Sequence, residues 1–215
     1  MINNILLLIS LILILIAYLR IILNNLKFKK TEVKNITSFD LAKELTSNYD
    51  EINIVETKDK IISKYNLKRN VIRLTAKDYS NSDIFTLAKT SLLAGYSLLN
   101  TNKDKYLTTL KNILPNIDYL NKTVPIALLI SLFTNTKGDA KLAIIILLII
   151  LIYQYLINTI NINSKEETKN QLTKILKKDN YSKLEQVQNT YLFLNKISFI
   201  TTLILLLRIV FIIIK

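Results

Sequence analysis

Three stretches of this chain, residues 2–23, 142–160 and 192–214, are dominated by Ile and Leu, the first almost without a break and the other two with a few polar residues between. A helix needs about 20 apolar residues to cross the hydrocarbon core of a bilayer. Runs of that length exclude an ordinary soluble globule and predict a mainly α integral membrane protein. The first run is interrupted only by Asn3, Asn4, Ser10 and, near its end, Arg20. It lacks an initial positive charge and a small-residue cleavage pattern, so it reads as a retained anchor rather than a cleaved leader. The stem of Arg20 is expected to extend toward the interface, where Lys27, Lys29 and Lys30 follow. A weaker fourth stretch, residues 117–133, carries Asp118, Asn121 and Lys122, which leaves 124–133 as its strongly apolar part. Ten such residues suit a re-entrant segment as well as a span. The short link 134–141, with Gly138 and Asp139, favours a span, because it joins two antiparallel helices. About four transmembrane helices result.

Lysines beside these runs set the expected orientation. Lys27, Lys29, Lys30 and Lys34 follow the first run, and the loop 161–189 carries Lys165, Lys169, Lys174, Lys177, Lys178 and Lys183. Both regions are expected on the cytoplasmic side, which puts Met1, the 134–141 link and Lys215 on the other. The net charge of +13 is spread through the polar segments without a long basic run. It fits contact with an anionic lipid surface better than nucleic-acid binding.

The chain has no histidine and no cysteine. It therefore has no imidazole to act as general base or metal ligand, no thiolate, and no disulfide. Its Asp and Glu residues follow neither a calcium-loop spacing nor a paired-carboxylate spacing. No cofactor and no metal is expected.

Between the first two apolar runs the pattern is that of a small α+β domain. Thr37 or Ser38 is placed to cap a helix through about Ser47, with Leu41 and Leu45 on one face. Alternation over 52–56 and the apolar run 71–74 predict brief strands, with 66–70 as a turn. A second helix is expected from Ser80 or Ser82 to about Asn100, burying Ile84, Leu87, Ser91, Leu92, Gly95 and Leu98 or Leu99.

The segment Ser63-Lys64-Tyr65, followed by the basic turn Lys68-Arg69-Asn70 and by Val71-Ile72-Arg73-Leu74-Thr75, resembles the D-H-Y-D-P motif and V-x-R-L-S strand of the bacterial membrane-bound neutral zinc metallopeptidases. Lys64 stands where that family has histidine. Continuing without a gap, the H-E-x-G-H of the family's A-A-H-E-x-G-H falls on Leu92-Leu93-Ala94-Gly95-Tyr96, where only the glycine matches. In an H-E-x-x-H helix the two histidines, one turn apart, hold zinc while the glutamate acts as general base; here those places hold Leu92, Tyr96 and Leu93. Residues 110–115 resemble the family's approach to its second span, and Thr190-Tyr191 its T-Y before the last span. Its E-F-x-A-S motif, whose glutamate is the third zinc ligand implied by the resemblance, places Lys165 at that position, with Glu166 and Glu167 one and two residues further on.

The resemblance implies a zincin-like cytoplasmic domain between the first and second spans, in a multi-pass protein of a bacterial plasma membrane. The expected organisation is an anchor over 1–24, a degenerate peptidase-like domain over 25–116, a transmembrane hairpin over 117–160, a cytoplasmic helical segment over 161–191 and a final span over 192–215. The function expected is that of a non-catalytic adaptor, regulator or scaffold, with the bilayer and a membrane protein or an active peptidase homologue as partners. Two alternatives stay open: a hydrolase using Ser91 or Ser97 with Lys89, and an unrelated membrane assembly or transport subunit. Arg208, inside the last span without an acidic neighbour in any span, is expected to reach outward to the interface. Glu166 and Glu167 are expected on a solvated helix face beside Lys165 and Lys169, with i,i+4 pairs.

Overall fold

The computed structural model describes residues 2–28, 31–58, 62–120, 122–134 and 136–214. The chain forms two compact units, one from Met1–Ile22, Leu120–Asn158 and Leu192–Lys215, the other from Leu23–Tyr119 and Thr159–Tyr191.

The second unit is built on a four-stranded sheet of β1 (Asn53–Thr57), β2 (Lys64–Asn66), β3 (Val71–Thr75) and β4 (Asn116–Ile117), in the order β1-β3-β2-β4. β1 runs parallel to β3, and β2 runs antiparallel to both of its neighbours. The β2–β3 turn is where the sequence predicts it: the Asn66 side chain accepts the Arg69 N–H at 2.8 Å, and Asn70 takes a φ of 53°, a left-handed conformation that Asn tolerates. Tyr65 ties this turn to the helix beneath. Its hydroxyl donates to Asn70 Oδ1 at 2.5 Å and accepts from Asn100 Nδ2 at 2.6 Å, and its burial pushes its pKa up.

Helix α2 (Ser38–Leu45) starts at Thr37, which forms a capping box with Asp40. The Thr37 hydroxyl and N–H bonds hold the Asp40 carboxyl below its ordinary range. The central helix α4 (Ile84–Thr101) starts at Asp83, whose Oδ1 accepts the Thr86 N–H at 2.7 Å. The expected start at Ser80 or Ser82 is thus too early. The carbonyls of Asn81 and Ser82 accept from Ser38 and Val33, so this backbone is engaged outside any helix. A short α3 (Ala76–Tyr79), capped by Thr75, fills the interval. Ile84, Leu87, Leu92, Leu93 and Tyr96 have no exposed surface. A helix buried on nearly every side belongs at the centre of its unit.

The remaining helices are α1 (Ile2–Phe28), α5 (Lys105–Lys111), α6 (Val124–Phe133), α7 (Lys137–Ile175) and α8 (Lys178–Ile214). Residues 161–191, expected as a separate helical segment, are helical as the end of α7 and the beginning of α8. α7 and α8 have 39 and 37 residues, about 58 and 55 Å at 1.5 Å per residue. Three helices, over Asn3–Phe28, Lys137–Ile175 and Lys178–Ile214, are long and apolar enough to cross a membrane. α6 has ten residues, about 15 Å, half the thickness of a hydrocarbon core. The expected helix beginning at 117 starts instead at Val124, because Asn116 and Ile117 pair with Asn66 and Tyr65 as β4.

The first unit packs Ala127 of α6, Ala140, Ala143, Leu147 and Ile150 of α7, and Leu205 and Ile209 of α8 into one core. Alanines at such contacts let helices approach closely where lipid offers no hydrophobic drive between them. Gln154 Nε2 donates to Thr123 Oγ1 at 2.9 Å. Arg208 is 8% exposed and does not reach outward as expected. Its Nη1 donates to the Ser131 carbonyl and, at 2.9 Å, to Ser131 Oγ. Ser131 lies in the last turn of α6, where helix carbonyls lack intrahelical partners, so the guanidinium caps that helix. Arg20 also finds a protein partner, its guanidinium lying 4.4 Å above the Phe193 ring.

Candidate functional site

One side of α4 carries Phe85, Lys89, Leu92 and Tyr96, spaced four, three and four residues apart and therefore on one face. Against α4 lies the part of α7 that follows residue 159. The approach is closest at Gly95. A Cβ placed there would fall 2.2 Å from Ser164 Oγ and 2.3 Å from the Ser164 carbonyl oxygen, well inside contact distance. Only glycine lets these two backbones meet.

The polar groups at this contact are neutral and mostly paired. Ser164 Oγ donates to the Leu92 carbonyl at 2.6 Å. The Tyr96 hydroxyl donates to Asn161 Oδ1, with the Asp118 carbonyl oxygen 3.4 Å away. From α8, Gln188 Nε2 donates to Ser91 Oγ at 2.8 Å, and Ser91 Oγ donates to the Ala88 carbonyl at 2.8 Å. One group is left over: Asn161 Nδ2 is buried without a partner among the described residues.

Leu92, Leu93 and Tyr96, the three places singled out in the sequence, are thus brought together and fully buried. Lys165 is next to Ser164 in sequence, but its amine turns toward α8. It lies 2.9 Å from Glu185 Oε1 and donates to Asn189 Oδ1 at 2.8 Å. Glu166 pairs with Lys169 at 3.7 Å, an i,i+3 rather than an i,i+4 contact, and Glu167 accepts from Asn102 Nδ2 at 2.9 Å. Neither carboxylate engages Tyr96. The residues that face Tyr96 and Leu92 across the helix contact, Asn161 and Ser164, were not anticipated from the sequence. The signal available for them is the i,i+3 pair of small polar residues opposite Gly95.

Zinc takes imidazole nitrogen, thiolate or carboxylate ligands in tetrahedral sets. Leu92, Leu93, Tyr96, Asn161 and Ser164 offer two aliphatic side chains, a phenol, an amide and a hydroxyl, and these do not fit that ion. Among the described residues no group of three or more His, Cys, Asp and Glu stands close enough to hold a metal.

The serine and lysine considered for covalent hydrolysis are not paired. Ser91 Oγ is engaged by Gln188 and Ala88, and Ser97 Oγ donates to the Ala94 carbonyl at 2.7 Å. Lys89 Nζ lies over aromatic rings, 4.9 Å from the Phe85 centroid and 5.9 Å from that of Tyr119.

No curated protein and no solved structure matches this chain. A family model described as "Putative neutral zinc metallopeptidase" matches residues 3–214. That match spans nearly the whole length, from the first turn of α1 to the last residue of α8, and so the chain belongs to that family of neutral zinc metallopeptidases.

Proposed function

We propose that this chain is a member of the family that has lost its metal site and acts without catalysis, as an adaptor, regulator or scaffold for other membrane proteins. One observation carries the reading. On the face where the family motif would bring two histidines and a glutamate, Leu92, Leu93 and Tyr96 are buried, and Gly95 is in contact with Ser164. A polar site that lost its ion would strand donors and acceptors at about 1–3 kcal/mol each. Apolar replacement of two positions, with the third tied to an amide, removes most of that cost.

The same contact supports a different register for the third ligand. Asn161-Ile162-Asn163-Ser164 fits the E-F-x-A-S order with Asn161 at the glutamate and Ser164 at the small residue, one helical turn before Lys165. In this reading the family's carboxylate has become the amide that accepts from Tyr96. The degenerate set is then Leu92, Leu93, Tyr96 and Asn161, and Lys165 lies just beyond it.

In the membrane we place the chain as a multi-pass protein of a bacterial plasma membrane, with the sheet-containing unit on the cytoplasmic side and α6 completing a short fourth crossing. The lysines at 27, 29, 30 and 34 and those of 165–183 support that orientation. An intact peptidase homologue is the partner that fits best, since a shared scaffold offers it a matching surface.

Purified protein, exchanged into zinc-containing buffer and then washed, is the test. Zinc far below one equivalent by elemental analysis, together with no chelator-sensitive cleavage of casein, is expected. Near-stoichiometric zinc or chelator-sensitive proteolysis would overturn the proposal.

A further inference from the structure

Lys89 is left unused by the reading above, and its surroundings are unusual for a lysine. It lies on α4 one turn before Leu92, on the same face. Its amine sits against the Phe85 and Tyr119 rings. No carboxylate lies within ion-pair distance of it among the described residues; the charged groups that influence it from further away are Asp78, Asp83 and Lys77. Desolvation is the largest influence and pushes its pKa down, against the opposing pull of the two aspartates.

A second observation comes from another helix. The Tyr191 ring of α8 touches both rings that flank the amine, with centroids 5.6 Å from Phe85 and 4.8 Å from Tyr119. Tyr191 is 2% exposed, and its hydroxyl has no hydrogen-bond partner among the described residues. A buried donor left unpaired costs about 1–3 kcal/mol. Its neighbour in the cluster is an amine whose pKa burial pushes down, which raises its neutral share. An amine and a hydroxyl donor within one aromatic cluster are complementary to a single functional group, an apolar carbonyl.

We propose that Phe85, Lys89, Tyr119 and Tyr191 form a carbonyl-capture site in which Lys89 condenses with an apolar aldehyde. The amine nitrogen attacks the carbonyl carbon, and the carbon–oxygen π pair moves to oxygen, toward which Tyr191 donates a hydrogen bond. The carbinolamine then loses water as the carbon–nitrogen double bond forms, and the two amine protons leave with the oxygen. One aldehyde is consumed and one water released, with no oxidant or reductant. The aromatic lining selects an alkyl aldehyde over a charged one. This site goes beyond the non-catalytic reading and stands whether or not that reading holds.

The test uses the full chain in detergent, with limiting hexanal and cyanoborohydride to trap the imine, followed by peptide mapping. Lys89 is expected to be alkylated about tenfold faster than the exposed Lys103, because the aromatic cluster collects the alkyl aldehyde beside an amine whose neutral share burial raises. Glyoxylate in place of hexanal should abolish the preference. Tyr191→Phe should slow the Lys89 adduct about tenfold or more, leaving Lys103 unchanged. Because the comparison of Lys89 with Lys103 is made within the wild-type chain, it holds even if Tyr191→Phe does not fold. Labelling of Lys89 no faster than Lys103, or only after denaturation, would overturn the site.

Discussion

The two units deal with buried polar groups in opposite ways. Along α4 in the sheet-containing unit, every polar partner at the Gly95 contact is neutral: a phenol on an amide, a serine on a carbonyl, a glutamine on a serine. In the helical unit a full positive charge is kept, and Arg208 is held by the carbonyl and hydroxyl of Ser131. Moving a charge into apolar surroundings is expensive, so a retained one has to be matched to something that specifically wants it. Loose carbonyls at the end of a ten-residue helix are such a match. No comparable demand is visible on α4, where backbone groups are already satisfied within the helix, and there close packing takes the place of charge.

The largest expected effect comes from breaking the neutral side of this comparison at its tightest point. Gly95→Val puts a branched side chain where the Ser164 backbone already lies within 2.3 Å of the Cβ position. A backbone neighbour cannot swing aside as a flexible side chain does, so α4 and α7 must separate. Destabilisation of about 3 kcal/mol or more is expected, read as a lower melting temperature in detergent. Serine at Ser164 is part of the same clash, and Gly95→Val with Ser164→Gly should recover only a fraction, because the carbonyl remains. A melting temperature unchanged by Gly95→Val would mean that the two helices are not in contact, and the proposed replacement of the metal site by close packing would go with it.

Arg208→Met tests the charged side. Methionine fills similar apolar space but leaves the Ser131 carbonyl without its donor, at about 2 kcal/mol. The desolvation cost of the charge is relieved at the same time, so the sign depends on how fully the guanidinium is used. Its Nη1 makes two bonds, while Nε has no partner among the described residues. With two bonds to one helix end we expect net destabilisation, and Ser131→Ala should weaken the effect of removing Arg208. If Arg208→Met and Ser131→Ala were simply additive, the cap would be absent, and Arg208 would revert to a side chain reaching for the interface.

Much of this architecture was readable from residues 1–215 as a string, and the parts that were not have identifiable causes. Three long helices followed from the length of their apolar runs, and the 66–70 turn and the Thr37 cap from side chains that bond their own backbone. The helix α6 is shorter than the stretch 117–133 because an apolar run does not reveal that Asn116 and Ile117 are engaged as a strand by residues some fifty positions earlier. Arg208 departs from expectation for a similar reason: it is held by the carbonyl and hydroxyl of Ser131 on another helix, and a carbonyl leaves no mark in a sequence. On α7, Asn161 and Lys165 are four residues apart and share a helix face. Periodicity gives the face; which turn meets Tyr96 is decided by the Gly95 contact, a feature of packing across helices.

The smallest expected effect sharpens the neutral side. Tyr96→Phe removes the donor to Asn161 while keeping the ring, so Asn161, whose Nδ2 is already unpartnered, loses its remaining link to α4. A cost of about 1 kcal/mol is expected. Adding Asn161→Leu should return most of it, because replacing both members of a buried neutral pair by apolar groups of like shape is close to neutral. The same logic does not carry over to Arg208 and Ser131, where the acceptor is backbone and cannot be mutated away. A double variant Tyr96→Phe with Asn161→Leu as unstable as Tyr96→Phe alone would show that the amide is held by other groups. The proposed equivalence of Asn161 with the glutamate of the E-F-x-A-S motif would then fall.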